Sequence, residues 1–226
     1  MGNNARIKQV VELTHDVKEF TLIAADEFNF VPGQFVTIKI DDGLPATCYR
    51  AYSVADYNSE TLEFKMIVKI VEGGRGSGYL NKLKEGDKVE FVGPSGKFFI
   101  QERETPIIMM CTGTGIVPFL SFLNILKNSK RTVRLFWGLR HEKDIYYEDL
   151  LKKYKETFSD FDYYISLTKP ENDTYDGLKG RITDHLDLFS EYNGGDYYLC
   201  GNGEMIDQIK QLLGDMGIDR IFYEKF

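Results

Sequence analysis

The stretch "MMCTGTGIVPF" (109–119) ends an apolar run at Gly113-Thr114-Gly115 and opens another at Pro118. A glycine-rich turn between a strand and a helix presents backbone N–H groups to an anion, and a helix start adds its dipole. A phosphate-binding loop of the G-x-x-x-x-G-K-[S/T] type needs a lysine that this turn lacks. The dinucleotide pattern G-x-G-x-x-G is met at Gly113 and Gly115, but Pro118 stands where the third glycine would be. Proline suits the first helical turn, where its missing N–H is not needed. Three other segments offer complementary chemistry. "RAYS" supplies Arg50 for a phosphate, Ala51, Tyr52 as a flat ring and Ser53 as a small hydroxyl donor. "EGGRGSGYL" (72–80) combines Arg75, Gly76 and Ser77 with consecutive backbone donors suited to a second phosphate. "YYLCGNGEM" (197–205) is an apolar run ending at Cys200-Gly201 before a long helix. Taken singly, each segment also reads as an ordinary strand or a tight connection that holds nothing.

The elements that must position these residues fall into two halves. Residues 5–100 alternate apolar and other side chains with period two, as in "QFVTIKI" (34–40) and "LEFKMIVKI" (62–70), between turns such as "VPGQ", "DDG" and "EGD". Regularly spaced short strands predict an antiparallel β-barrel or sandwich. After "QERETP" come short apolar runs at 107–110, 132–137, 163–167 and 197–200. Helical stretches at 118–128, 147–158, 182–189 and 204–216 separate them. Strand alternating with helix predicts an α/β parallel-sheet domain. The expected organisation is therefore two-domain, 1–101 and 102–226, with the change near Gln101–Pro106.

The chain has 226 residues and a net charge of −7, so it offers no broad basic field for nucleic acid. Its three cysteines, Cys48, Cys111 and Cys200, are widely spaced and cannot build a four-cysteine cluster. The histidines His15, His141 and His185 form no metal set. An uneven cysteine count, no signal-peptide apolar region and no 18-residue apolar stretch lead us to expect a cytoplasmic protein without stable membrane insertion, taken as a monomer.

In order along the chain, "PGQFV" (32–36), "RAYS" (50–53), "GRGSGYL" (74–80), "GPSGKF" (93–98), "GTGIVPF" (113–119), "LFWGLR" (135–140), "GRIT" (180–183) and "CGNGEM" (200–205) resemble the ferredoxin–NADP⁺ reductase family of flavoprotein pyridine nucleotide reductases. The resemblance is to the reductase core alone, without a fused ferredoxin domain. It implies a flavin-binding antiparallel barrel followed by a parallel-sheet domain for the nicotinamide nucleotide. It implies that Arg50 meets the flavin phosphate, that Ala51 and Tyr52 lie along the ring and that Ser53 sits beside the reactive N5. Val68, Lys69 and Ile70 would run along the flavin, and Arg75, Gly76 and Ser77 would contact its pyrophosphate. Gly113, Thr114, Gly115 and Pro118 would bind the nicotinamide dinucleotide pyrophosphate, and Cys200, followed by Gly201, would lie near the nicotinamide. The ending Glu224-Lys225-Phe226 resembles the family's Glu-x-Tyr, making Glu224 the carboxylate near N5 and Phe226 the aromatic ring stacked on the flavin.

The family's cofactor is FAD, with FMN in some branches, and NAD(P)H is the transient substrate. One departure concerns the 2′-phosphate. The family's Ser-Arg after the third parallel strand is replaced within "ISLTK" (165–169) by Leu167, which cannot make a bidentate phosphate contact. Lys169, Arg140 and Lys179 are the nearby cations, and NADH is the favoured nucleotide. The resemblance implies electron exchange with a separate ferredoxin, flavodoxin or oxygenase component, in either direction. Two alternatives are a free-flavin reductase and a non-catalytic electron-transfer subunit.

Overall fold

The computed structural model describes residues 2–171, 174–192 and 194–225. Six strands, β1 (Asn3–Glu12), β2 (Val17–Ala24), β3 (Phe35–Ile40), β4 (Cys48–Asn58), β5 (Glu63–Lys69) and β6 (Lys88–Ser95), close into a barrel in the order β1-β2-β5-β4-β3-β6. Every neighbouring pair in it is antiparallel. The period-two pattern works as expected in β3, where Val36, Ile38 and Ile40 point inward and their neighbours are only half-buried. Phe20, Leu22, Phe64, Met66 and Phe91 fill the barrel. Each such side chain contributes about 1.5–3 kcal/mol by leaving water. A short helix, α1 (Arg75–Leu80), follows β5.

The remaining elements build a parallel sheet. They are β7 (Ile107–Thr112), α2 (Val117–Leu126), β8 (Val133–Leu139), α3 (Glu148–Thr157), β9 (Phe161–Leu167), β10 (Leu178–Lys179), α4 (Leu186–Ser190), β11 (Asp196–Gly201), α5 (Gly203–Asp215) and β12 (Ile221–Lys225). The sheet order is β10-β9-β8-β7-β11-β12, and all its ladders are parallel. The central strands β7 and β11 are buried along nearly their whole length, as continuous apolar runs require. The helix expected over 182–189 forms as a 3₁₀ turn, Ile182–His185, that runs on into α4. β12 is an element that periodicity does not announce, because five residues are too few to show a period.

The chain divides into two compact units, Met1–Ile100 with Val117–Asn124, and Gln101–Ile116 with Ile125–Phe226. The first turns of α2 group with the barrel for a packing reason. Phe119 and Phe122 lie 5.9 and 5.4 Å from Phe98, centroid to centroid, and Asn124 Nδ2 donates to Asp56 Oδ1 at 3.0 Å.

Candidate functional site

In the first unit the strand β4 changes character halfway along. From Cys48 to Ser53 it pairs with β3, but its ladder to β5 begins only at Val54. Tyr49, Arg50 and Ala51 are consecutively exposed, which a strand covered on one face does not allow. This half-strand therefore offers backbone groups and side chains along an open edge. Ser53, at its end, is 6% exposed, and its Oγ has no hydrogen-bond partner among the described residues. A buried hydroxyl left unpaired costs on the order of 1–3 kcal/mol unless something else satisfies it. Tyr52 is half-buried against the barrel core, and burial pushes its phenol up to about 12, so it stays neutral.

The start of α1 comes close to this edge. A Cβ at Gly76 would lie 2.6 Å from Arg50 Cγ and 2.8 Å from the Tyr52 hydroxyl, so only glycine fits without displacing them. The side chains on either side are already engaged. Arg75 donates to Asp42 Oδ2 at 2.6 Å from Nε and to Oδ1 at 2.9 Å from Nη2, and reaches the Ala46 carbonyl as well. That guanidinium holds the Asp42 carboxyl down at about 2. The Ser77 hydroxyl closes its own turn, accepting the Val71 N–H at 3.1 Å. Val68 points into the barrel core, Lys69 pairs with Asp16 at 2.9 Å, and the Ile70 N–H donates to the Asp16 carbonyl. The structure thus brings Arg50, Tyr52 and Gly76 together with Ser53 at one strand edge, and it occupies Arg75 and Ser77 elsewhere. An unpaired buried hydroxyl beside an open edge suits a flat polar ring system such as a flavin.

In the second unit the sheet order places β7 and β11 side by side with the chain winding away in opposite directions. That is the switch point where open α/β sheets bind ligands beyond their strand ends. The Gly113–Ile116 3₁₀ turn follows β7, and Gly201 closes β11. A Cβ at Gly115 would sit on the Cys200 carbonyl, while Gly113, at φ +54, has open space around its Cα. Gly201, at φ +124, faces Thr112, whose Oγ1 accepts the Asn202 N–H at 3.0 Å. Trp137 Nε1 donates to the Gly113 carbonyl at 2.9 Å. No side chain caps the start of α2, which continues directly from the Gly113–Ile116 turn.

Strand register puts Cys111, Cys200 and Glu224 in one row across β7, β11 and β12. Burial pushes the Cys200 thiol well up, with the nearby Glu224 adding to it, which favours the protonated thiol. Cys111 is likewise buried and neutral. Phe226 lies outside the described residues. Leu167 is fully buried at the end of β9, in register with Lys179. An open cavity of about 720 Å³ next to it is lined by Thr168, Lys169, Arg181, Thr183 and Asp184. Arg181, the second residue of "GRIT", thus joins Lys169 as a cation on this cavity. Asp42, which engages Arg75, carries no local signal, and the roles of Thr112 and Trp137 inside quoted stretches show only in their partners. A larger open cavity, about 1110 Å³, lies beside α3 among Tyr146, Tyr147, Tyr163, Tyr164 and Tyr175, and holds none of the residues that the motifs single out.

Two family models match the chain. An oxidoreductase FAD-binding domain covers residues 4–100 and an oxidoreductase NAD-binding domain covers residues 109–211. Ferredoxin–NADP reductase B of Sorangium cellulosum is 31% identical over 230 residues, covering 96% of this chain and 93% of the relative. The toluate 1,2-dioxygenase electron transfer component of Pseudomonas putida is 29% identical over 234 residues, and the match spans 100% of this chain but 68% of the relative. The solved FAD/NAD-binding domain of nitric oxide dioxygenase from Vibrio cholerae superposes with a TM-score of 0.89. It is 26% identical and is covered to 98%, against 100% of this chain.

Proposed function

The chain belongs to the ferredoxin–NADP⁺ reductase family, and from that premise we propose a flavin-dependent NAD(P)H oxidoreductase that exchanges electrons with a separate ferredoxin, flavodoxin or oxygenase component. Residues 1–101 hold FAD and residues 102–226 take the nicotinamide dinucleotide. When bound, FAD supplies two-electron chemistry towards the nicotinamide and one-electron chemistry towards the carrier. The observation that carries this reading is the buried, unpaired Ser53 hydroxyl at the open edge of β4.

On this reading Ser53 gives its hydrogen bond to the ring, Ala51 and Tyr52 lie along it, and Arg50 meets the flavin phosphate. The backbone at Gly76 takes the place beside that phosphate, because Arg75 and Ser77 are held within the protein. The row Cys111–Cys200–Glu224 borders the nicotinamide position, where the neutral Cys200 thiol packs without reacting. Glu224 supplies a carboxylate at the same strand level. Gly113, Thr114 and Gly115 receive the dinucleotide pyrophosphate, and the helix begun at Pro118 contributes its N-terminal dipole. NADH is the preferred nucleotide, since the buried Leu167 stands where the family's arginine would meet a 2′-phosphate. The protein acts as a cytoplasmic monomer, which size-exclusion chromatography and cell fractionation test.

Anaerobic mixing with NADH, and separately with NADPH, tests the reading. Flavin absorbance at about 450 nm should bleach, faster with NADH. No bleaching with either nucleotide rejects the reductase reading and leaves the electron-transfer subunit. The engagement of Arg75 by Asp42 favours a second reading, in which flavin is loosely held and exchanged as a substrate. Loss of the yellow colour on gel filtration, with activity restored by free flavin, selects it.

A further inference from the structure

Ser121 is 2% exposed, and no nucleotide-binding motif includes it. Its Oγ accepts the Gly33 N–H at 2.9 Å and donates to the Pro118 carbonyl at 2.7 Å. Gly33 cannot be exchanged here, because φ is +97 and a Cβ would run into the Phe98 carbonyl and the Phe122 ring. The next residue, Gln34, accepts the Val54 N–H on its carbonyl at 3.0 Å, and its side-chain Oε1 accepts the Val31 N–H at 2.9 Å. A continuous path of short bonds therefore runs from the Pro118 carbonyl through Ser121, Gly33 and Gln34 to Val54, the residue after Ser53. Every group on it belongs to the first unit.

We propose that Ser121 is a positioning residue, whose hydroxyl fixes the helix start at Pro118 in register with the strand that carries Ser53. The inference rests on the reductase reading, in which both residues face reacting cofactors. A hydroxyl is the side chain that fits, since one atom must accept an N–H and donate to a carbonyl three residues back in its own helix. Alanine does neither, and leaves the Gly33 N–H buried without a partner. The Phe98–Phe119–Phe122 packing holds the helix on the barrel in either case, so the loss is one of register and not of folding.

The test compares Ser121→Ala, Ser121→Thr and a barrel-core control, Phe20→Leu, with the unaltered FAD-loaded protein in anaerobic stopped-flow mixing with NADH. Ser121→Ala should lower the limiting rate of flavin bleaching about tenfold while changing the nucleotide concentration for half-maximal rate by less than about twofold. Its Gly33 amide should exchange with deuterium faster. Ser121→Thr, which keeps the hydroxyl, should return the rate to within about threefold of the unaltered protein. Phe20→Leu should lower the melting temperature and keep the rate. A wild-type rate in Ser121→Ala overturns the proposal. So does an equal rate loss in Phe20→Leu at matched melting temperature, or equal slowing by Ala and Thr. If the unaltered protein does not bleach with NADH or NADPH, the reductase reading itself has failed and this inference falls with it.

Discussion

The two glycine-rich turns look alike as letters and are built differently. In the 72–80 turn, Gly73 and Gly78 border open space, Gly74 and Gly76 are crowded chiefly by the side chains of Ser77, Arg50 and Tyr52, and the polar side chains Arg75 and Ser77 are bound within the protein. In the 113–118 turn, crowding comes from backbone, since Gly115 lies against the Cys200 carbonyl at the strand switch. The first turn is shaped by neighbouring side chains, which can move. The second is shaped by the meeting of two strand ends, which cannot.

Four changes probe that difference, in falling order of effect. Gly115→Ala should cost about 3 kcal/mol in urea unfolding and abolish detectable NADH binding, because the methyl group meets backbone. A cost under about 1 kcal/mol breaks the comparison. Gly76→Ala should weaken FAD about tenfold in a fluorescence titration, equivalent to about 1.4 kcal/mol, because Arg50 and Tyr52 must shift. Asp42→Asn should act mainly on acid stability. Arg75 holds the folded carboxyl at about 2, below its unfolded value of about 3.9, so the ion pair stabilises above that value and is lost as pH falls towards 2. A melting curve series should show the native protein declining more steeply than Asp42→Asn between about pH 4 and 2. Gly78→Ala should be neutral or stabilising by up to about 1 kcal/mol in thermal melting, since it lies in a helix with nothing near its Cα.

Much of this architecture is legible from the chain alone, for physical reasons that differ by element. Strands β7, β8 and β11 are buried on both faces, so their apolar runs stand out between helices. β3 shows its half-buried alternation directly. The motif residues Arg50, Tyr52 and Gly76 come together because one strand edge and one helix start meet. What stays hidden is set by distant partners. Asp42 occupies Arg75 from 33 positions away, and nothing near Arg75 announces it. Ser121 reads as one more polar residue in an apolar helix until Gly33, 88 positions earlier, is found on its hydroxyl. The grouping of Val117–Asn124 with the barrel is equally silent, since it depends on where Phe98 falls.

The bond from Trp137 to Gly113 has an optical consequence. Trp137 is the only tryptophan in the chain, fully buried, with its indole N–H on the carbonyl of the dinucleotide turn and its ring edge-on to Tyr146 at 4.9 Å. Indole emission excited at the red edge of its absorption therefore comes from one place. Any anion that settles on Gly113–Gly115 polarises that carbonyl and shifts the band. The protein carries its own fluorescent reporter of the turn, read without a label and without turnover.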